Sequence, residues 1–167
     1  MKPRPFDYAR PETIDEAVAL LAEYGDDARV LAGGQSLMAM MNLRLADPAV
    51  LIDIARVEEM RHIRDRGDKI EVGAAVIQTR LLAWPELKAK LPLLAVALPW
   101  VGHFQTRNKG TVCGSIAHAD PSSEIPLSLA TLEGEVVLRS ARGERVLKAG
   151  EFQLDMLTTA REGDELI

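Results

Sequence analysis

Two short segments carry the residue types that hold a phosphate without relying on charged side chains. They are Ala32-Gly33-Gly34-Gln35-Ser36 and Thr111-Val112-Cys113-Gly114-Ser115. Glycine opens backbone conformations closed to other residues and removes the side chain that would block a ligand. Successive N–H groups can then face one anion, with Ser36 and Ser115 adding hydroxyl donors. Two such segments would hold one diphosphate from two sides. Neither is a Walker A sequence, because Gly-x-x-x-x-Gly-Lys-Ser/Thr does not occur, and neither is a Gly-x-Gly-x-x-Gly dinucleotide fingerprint. Taken singly, each also reads as an ordinary structural turn.

The flanks of the second segment are dense in polar groups. Arg107-Asn108-Lys109-Gly110 leads into it, and His118-Ala119-Asp120-Pro121-Ser122-Ser123-Glu124 leads out. Two readings stand: a solvated loop, or a ligand-lining loop of the kind that carries function. Other candidates are weaker. His62 reads as a surface residue, and His103 as either a satisfied loop histidine or a neighbour of a ligand. The three histidines are too dispersed to predict a metal site. Met38, Met40 and Met41 read as core residues or as packing for a ligand's ring. Trp84 and Trp100 read as core anchors, with Trp100 close enough to Val101 to border a ligand instead, and the charges from Arg56 to Asp68 read as a solvated face. No nucleophile–base constellation is present, so no catalytic acid, base or nucleophile is expected.

These segments need elements to position them. Thr13 with Glu16 predicts a capped helix start, Ala17, Leu20, Leu21 and Tyr24 share one face toward a core, and Gly25 stops the helix. Arg29 to Ala32 reads as a strand feeding the first segment, Leu37 to Leu43 as a helical turn, and Ala49 to Ile54 as a buried strand, together a βαβ-type unit. Gly67-Asp68 predicts a hairpin between 63–66 and 69–72. Gln78 to Trp84 reads as a helix capped near Thr79, and Leu91 to Leu98 as a buried helix opened by Pro92. Ile125 to Leu132 reads as a further helix, and Arg142-Gly143 turns a second hairpin between 135–139 and 145–148. The last residues, Gly163 to Ile167, read as the start of a strand, with the expectation that a C-terminal part is missing.

Composition bounds the partners. The chain has 167 residues, 47% hydrophobic and 27% charged, with a formal net charge of −5. That balance argues against a nucleic-acid surface, which needs a basic patch. It also implies that a phosphate site here relies on backbone N–H groups more than on lysine or arginine. The single cysteine, Cys113, excludes an internal disulfide and a cysteine-built iron–sulfur or zinc site. The first residues contain no secretion signal, and no apolar run approaches the ~20 residues of a membrane helix. A cytoplasmic protein is expected.

Three motifs together resemble one family. Ala-Gly-Gly-Gln-Ser-Leu-Met at 32–38, Leu-Ile-Asp-Ile at 51–54 and Arg-Asn-x-Gly-Thr-Val-x-Gly-Ser-Ile-Ala-His-Ala-Asp-Pro at 107–121 are similar to the FAD-binding medium subunit of molybdenum hydroxylases. That family includes the carbon monoxide dehydrogenase medium chain and the flavin domain of xanthine dehydrogenase. The resemblance covers essentially the whole chain. It implies an α+β fold of the vanillyl-alcohol-oxidase (PCMH) type with FAD between two subdomains, 1–56 and 57–167, and without the family's C-terminal domain. It implies that Ala32, Gly33, Gly34, Gln35, Ser36 and Leu37 cradle the FAD diphosphate with Thr111, Cys113, Gly114 and Ser115. It places Val101 and Gly102 near the cofactor and Ala117 and His118 along it. Ser123 and Glu124 fall at the adenosine end, where a carboxylate suits ribose hydroxyls, and Leu166 and Ile167 match a strand against the flavin ring.

One departure stands inside the second motif: the family usually has Gly-Gly where this chain has Cys113-Gly114. Either Gly114 alone takes a special backbone geometry and Cys113 packs as a small hydrophobe, or Cys113 has a redox or covalent-flavin role. The function implied is electron transfer. Substrate would be hydroxylated at a molybdopterin large subunit, and electrons would pass through an iron–sulfur small subunit to FAD in this chain. They would leave to an external acceptor, NAD+ or a quinone, from a dimer of heterotrimers. The alternatives are a stand-alone FAD oxidoreductase of the same fold and a non-catalytic scaffold.

Overall fold

The computed structural model describes all 167 residues. The N-terminal part forms a three-stranded parallel sheet in the order β1-β3-β2, from β1 (Asp7–Ala9), β2 (Ala28–Leu31) and β3 (Val50–Asp53). Helix α1 (Ile14–Tyr24) connects β1 to β2, and α2 (Leu37–Asn42) lies between β2 and β3. Parallel strands require such crossovers, so the βαβ reading holds here. Strand β3 is central and its Val50, Leu51 and Ile52 are buried, which explains the continuous apolar run.

Local sequence sets the ends of α1. The Thr13 hydroxyl accepts from the Glu16 amide at 3.1 Å, and Gly25 closes the helix at φ +50°. Only half of the predicted box forms, because the Glu16 carboxylate accepts from the Glu12 amide instead. Ala17, Val18 and Leu21 are the buried stripe, while Tyr24, expected inside, is exposed. Its phenol keeps its contact with water at the helix end, and Val18 takes the inward place.

Beyond residue 56 the elements are antiparallel hairpins and short helices. Hairpin β4 (Ile63–Asp65)/β5 (Ile70–Val72) turns at Gly67, φ +93°. Then follow α3 (Gln78–Leu82), α4 (Leu87–Lys90), α5 (Pro92–Ala97), α6 (Phe104–Arg107), α7 (Val112–His118) and α8 (Glu124–Thr131). Hairpin β6 (Glu135–Ser140)/β7 (Gly143–Lys148) alternates inward Val136, Leu138 and Ser140 with outward neighbours. Helix α9 (Ala149–Phe152) and a small pair, β8 (Gln153–Asp155) and β9 (Thr158–Thr159), finish the chain.

Two helical expectations and one about Trp100 are corrected. Helix α3 has no side-chain cap, since its N-cap is Ile77. Helix α5 opens on Pro92, which lacks only an N–H that a first turn leaves unpaired, but it is buried on one side only: Leu94 is inside while Leu93 and Val96 are exposed. Trp100 is not a core anchor; it is 77% exposed.

Two apolar clusters hold the chain. One joins α1 and the parallel sheet to Val57, Met60, Ala74, Ala75 and Leu166. The other gathers Val76, Leu81, Leu98, Ile116, Ile125, Leu138 and Phe152. Neighbouring Ala75 and Val76 belong to different clusters, so the backbone at 73–77 is a seam between them. A two-residue antiparallel bridge pairs Leu166 with Arg139 of β6, with N–H···O distances of 2.7 and 2.8 Å.

Candidate functional site

The seam leads directly to a groove. It has a volume of about 560 Å³ and is lined by Leu31 to Gln35, Met38, Ala55, Arg61, Ala75, Ile77, Asn108, Lys109 and Thr111. Strand β2 ends at Leu31 and delivers the first glycine segment to it. Gly34 sits at φ +66°, a left-handed conformation that disfavours any side chain. The chain then enters α2, whose first residue is Leu37. Between strand and helix, the N–H groups of Gly33, Gly34, Gln35 and Ser36 donate to no acceptor in the chain. The Gln35 side chain folds back to the Gly33 carbonyl at 3.1 Å.

The second segment is not a loop. Thr111 is the N-cap of α7, its hydroxyl accepting from the Gly114 amide at 2.9 Å. Cys113 and Gly114 are therefore helical, and neither has a positive φ. Gly114 is needed for another reason: a Cβ there would stand 2.6 Å from Thr111 Oγ1. The two segments do meet. A Cβ on Gly114 would reach Ala32 Cβ at 4.0 Å, and Gly33 abuts the Lys109–Gly110 peptide. A bridge between Ile77 and Thr111 ties the second segment to the seam.

Cys113 packs against the first apolar cluster, and its thiol donates weakly to the Val72 carbonyl at 3.5 Å. Burial pushes the thiol up to about 12. A group so far from ionising at neutral pH is a poor nucleophile. The hydrophobe reading of Cys113 is the one this environment supports.

The segment leaving α7 is held by its own side chains. Ala119 caps the helix in the left-handed region at φ +50°, a costly conformation for alanine. Asp120 then accepts from the amide and hydroxyl of Ser122 at 2.8 and 2.7 Å; those hydrogen bonds hold its carboxyl below the usual range. Ser115 and Ser123 hydroxyls lie 2.9 Å apart, so the second segment and its tail are joined. His118 lines a smaller recess of about 250 Å³ with Met40, Leu45, Asp120, Pro121, Met156 and Leu157. Ala117 is exposed, and Glu124 opens α8 half-buried.

The remaining candidates lie apart from the groove. Val101 is buried in the second cluster. Its carbonyl and that of Gly102 both accept from Arg107, at 3.0 and 3.1 Å. Leu166 is 2% exposed inside the first cluster, and Ile167 packs against the second. Among residues not singled out from the sequence, the groove adds Arg61, Ala55, Ala75 and Ile77. Arg61 falls in the charge run read as a solvated face, where nothing local separates it from its neighbours. No group of three His, Cys, Asp or Glu side chains is gathered to hold a metal ion, and no helix is long and apolar enough to cross a membrane.

A diphosphate-bearing flavin nucleotide fits these residues. The four amides from Gly33 to Ser36 are free to donate, and no carboxylate lines the groove. The chain is 41% identical over its full length to the carbon monoxide dehydrogenase medium chain of Hydrogenophaga pseudoflava, spanning 58% of that protein. It is 39% identical to the caffeine dehydrogenase subunit beta of Pseudomonas sp. (strain CBB1), spanning 57% of it. Superposed on carbon monoxide dehydrogenase from Hydrogenophaga pseudoflava, all of the chain matches 58% of the solved chain with a TM-score of 0.96 at 42% identity. Quinoline 2-oxidoreductase from Pseudomonas putida 86 matches 99% of it with a TM-score of 0.95 at 36% identity. Residues 4–167 match the family described as the FAD binding domain in molybdopterin dehydrogenase, and the chain belongs to that family.

Proposed function

We propose that this chain binds FAD with its diphosphate in the groove and serves as the electron-transfer flavin unit of a molybdenum-containing hydroxylase. The observation that carries it is the row of unpartnered amides from Gly33 to Ser36, of which Gly33, Gly34 and Gln35 line a groove that also takes in Thr111. Flavin, when bound, supplies the redox chemistry that no side chain here offers. The chain's residues bind and orient it. Ala32 to Leu37 and Thr111 to Ser115 hold the diphosphate, with Gly34 and Gly114 keeping the backbone clear of side chains. Ala117 and His118 run along the cofactor, Ser123 and Glu124 meet the adenosine ribose, and Gly102 and Ile167 border the flavin half, with Val101 and Leu166 packed behind them in the two apolar clusters. The subdomains 1–56 and 57–167 enclose it between them.

In the assembly, an iron–sulfur small subunit delivers electrons drawn from a molybdopterin large subunit, and NAD+ or a quinone removes them. The working unit is a dimer of heterotrimers in the cytoplasm, a compartment suited to a chain with one thiol. The relatives' names support a multi-subunit setting: the carbon monoxide and glyceraldehyde dehydrogenase relatives are named medium chains, and the caffeine dehydrogenase relative is named subunit beta.

The test is FAD binding by the purified chain, followed by quenching of flavin fluorescence, with FMN as the control. Saturable binding of FAD and not of FMN is the expected result, because only FAD carries the diphosphate and adenosine. Equal binding of both, or of neither, would remove the assignment of the two segments.

A further inference from the structure

The groove carries a charge that the chain as a whole does not. Among its lining residues the ionisable ones are Arg61 and Lys109, both cations, in a protein of net charge −5. They come from different segments. Arg61 ends the 3-10 turn Glu58–Met60, and Lys109 precedes α7 against Gly33. Neither is committed. Arg61 gives one bond to the exposed Glu58 carboxylate, at 2.8 Å, a pairing three residues apart on the surface. Exposed pairs of that kind contribute little and exchange readily with water. A guanidinium has further N–H donors beyond that bond. Lys109 makes no ion pair and no side-chain hydrogen bond.

We propose that Arg61 and Lys109 form a cationic clamp for a nucleoside diphosphate, with Glu58 as a carboxylate that occupies Arg61 until the phosphates displace it. The proposal rests on the groove being the FAD diphosphate site. It adds where the charge neutralisation comes from and which smaller ligands follow. The amides of 33–36 fix the position of the phosphate oxygens, and the two side chains balance their charge. An arginine is suited to the bidentate half of this task and a lysine to the point-charge half. Two consequences separate the clamp from binding by the backbone alone. ADP, which carries the diphosphate without flavin, enters the groove and competes with FAD. Binding also weakens as salt rises, because the partners are charges at a solvent-open site.

The experiment is calorimetric titration of ADP, FAD and riboflavin into the full chain and into R61Q, K109Q and E58Q, each at low and high ionic strength. All three positions are exposed, and unchanged thermal midpoints verify folding. The expected result is that the parent binds ADP and FAD but not riboflavin. R61Q and K109Q each weaken ADP by roughly 10-fold and flatten its salt dependence, and E58Q tightens ADP by freeing Arg61. A parent that binds FAD while both cation variants match it, at either ionic strength, overturns the clamp and leaves FAD binding standing; so does a parent that takes FAD but ignores ADP. An E58Q chain with unchanged ADP affinity overturns the role of Glu58. A parent that binds neither nucleotide overturns the clamp and the flavin assignment together.

Discussion

Gly33 packs against the peptide of Lys109 with no room for a side chain. A Cβ there would overlap the Lys109 carbonyl oxygen and stand 2.6 Å from Gly110 Cα. The contact is backbone against backbone, so nothing flexible can give way. It brings a loop of the parallel-sheet unit against the approach to α7, and the groove opens beside the junction.

Substituting Gly33→Val should therefore push the two walls apart. The φ of Gly33 is not left-handed, so the effect is steric alone. The expected outcome is a chain with parent-like far-ultraviolet circular dichroism and FAD affinity lowered by roughly 100-fold, matching overpacking strain of about 3 kcal/mol. Flavin fluorescence titration measures it, and parent-like affinity in the variant would break the link between this contact and the ligand.

Thr111 and Gly114 act as one unit. Thr111 is 3% exposed and its hydroxyl accepts the Gly114 amide. Thr111→Ala should cost about 1 kcal/mol of stability, the usual worth of an N-cap, and Thr111→Ser should recover most of it. Gly114→Ala presses on the same hydroxyl. Urea unfolding of both single variants and the double should show strong non-additivity, with the double scarcely worse than the worse single. Additive losses would mean that the cap and the missing Cβ are unrelated.

Cys113 should be silent toward alkylating reagents. Burial raises its thiol to about 12, against an ordinary value of about 8.5, so the thiolate is scarce at pH 8. Iodoacetamide at that pH is expected to leave the folded chain at its unmodified mass and to label the urea-unfolded chain fully. Rapid labelling of the folded protein would reopen a reactive role for this residue.

The sequence is informative where one residue type admits one physical role. Thr13 and Gly25 bound α1, Gly67 and Gly143 mark the hairpin turns, and the Val50–Asp53 run marks a strand buried on both faces. The first glycine segment lies on the groove, where Gly33 allows the close approach of the Lys109–Gly110 peptide, whereas of the second segment only Thr111 lines it. It is misleading where two roles share one signature. Thr-x-x-Gly-Ser reads as a turn until the Thr111 cap makes it a helix start. Trp100 and Val96 look like core residues by type, yet both are exposed. Arg61 is indistinguishable from the charges around it, because its place on the groove depends on a chain fold that joins residues 32, 61 and 109 from three segments. No local pattern encodes that meeting.

The C-terminal segment should loosen in acid. Glu165 is 2% exposed. Its carboxylate takes two hydrogen bonds from Arg145, at 2.6 and 2.8 Å, and one from the Glu162 amide at 2.7 Å. Burial pushes its carboxyl up, and the Arg145 and Glu162 bonds outweigh that, leaving it below the ordinary glutamate value. A carboxyl depressed in the folded state binds a proton more weakly there than in the unfolded chain. Its stabilisation is therefore complete above the unfolded value and is lost as pH falls through the folded one. The segment anchored by this pair carries Leu166, whose backbone bridges Arg139 and whose side chain lies in the first cluster. Thermal midpoints measured from pH 7 down to about pH 3 should fall more steeply for the parent than for Glu165→Gln, which starts lower and cannot titrate at this site. The protection of the Leu166 amide, its exchange rate taken relative to the intrinsic rate at each pH, should fall over the same interval in the parent alone. Identical acid profiles for the two chains would show that the Arg145 pair contributes nothing to holding this segment against β6.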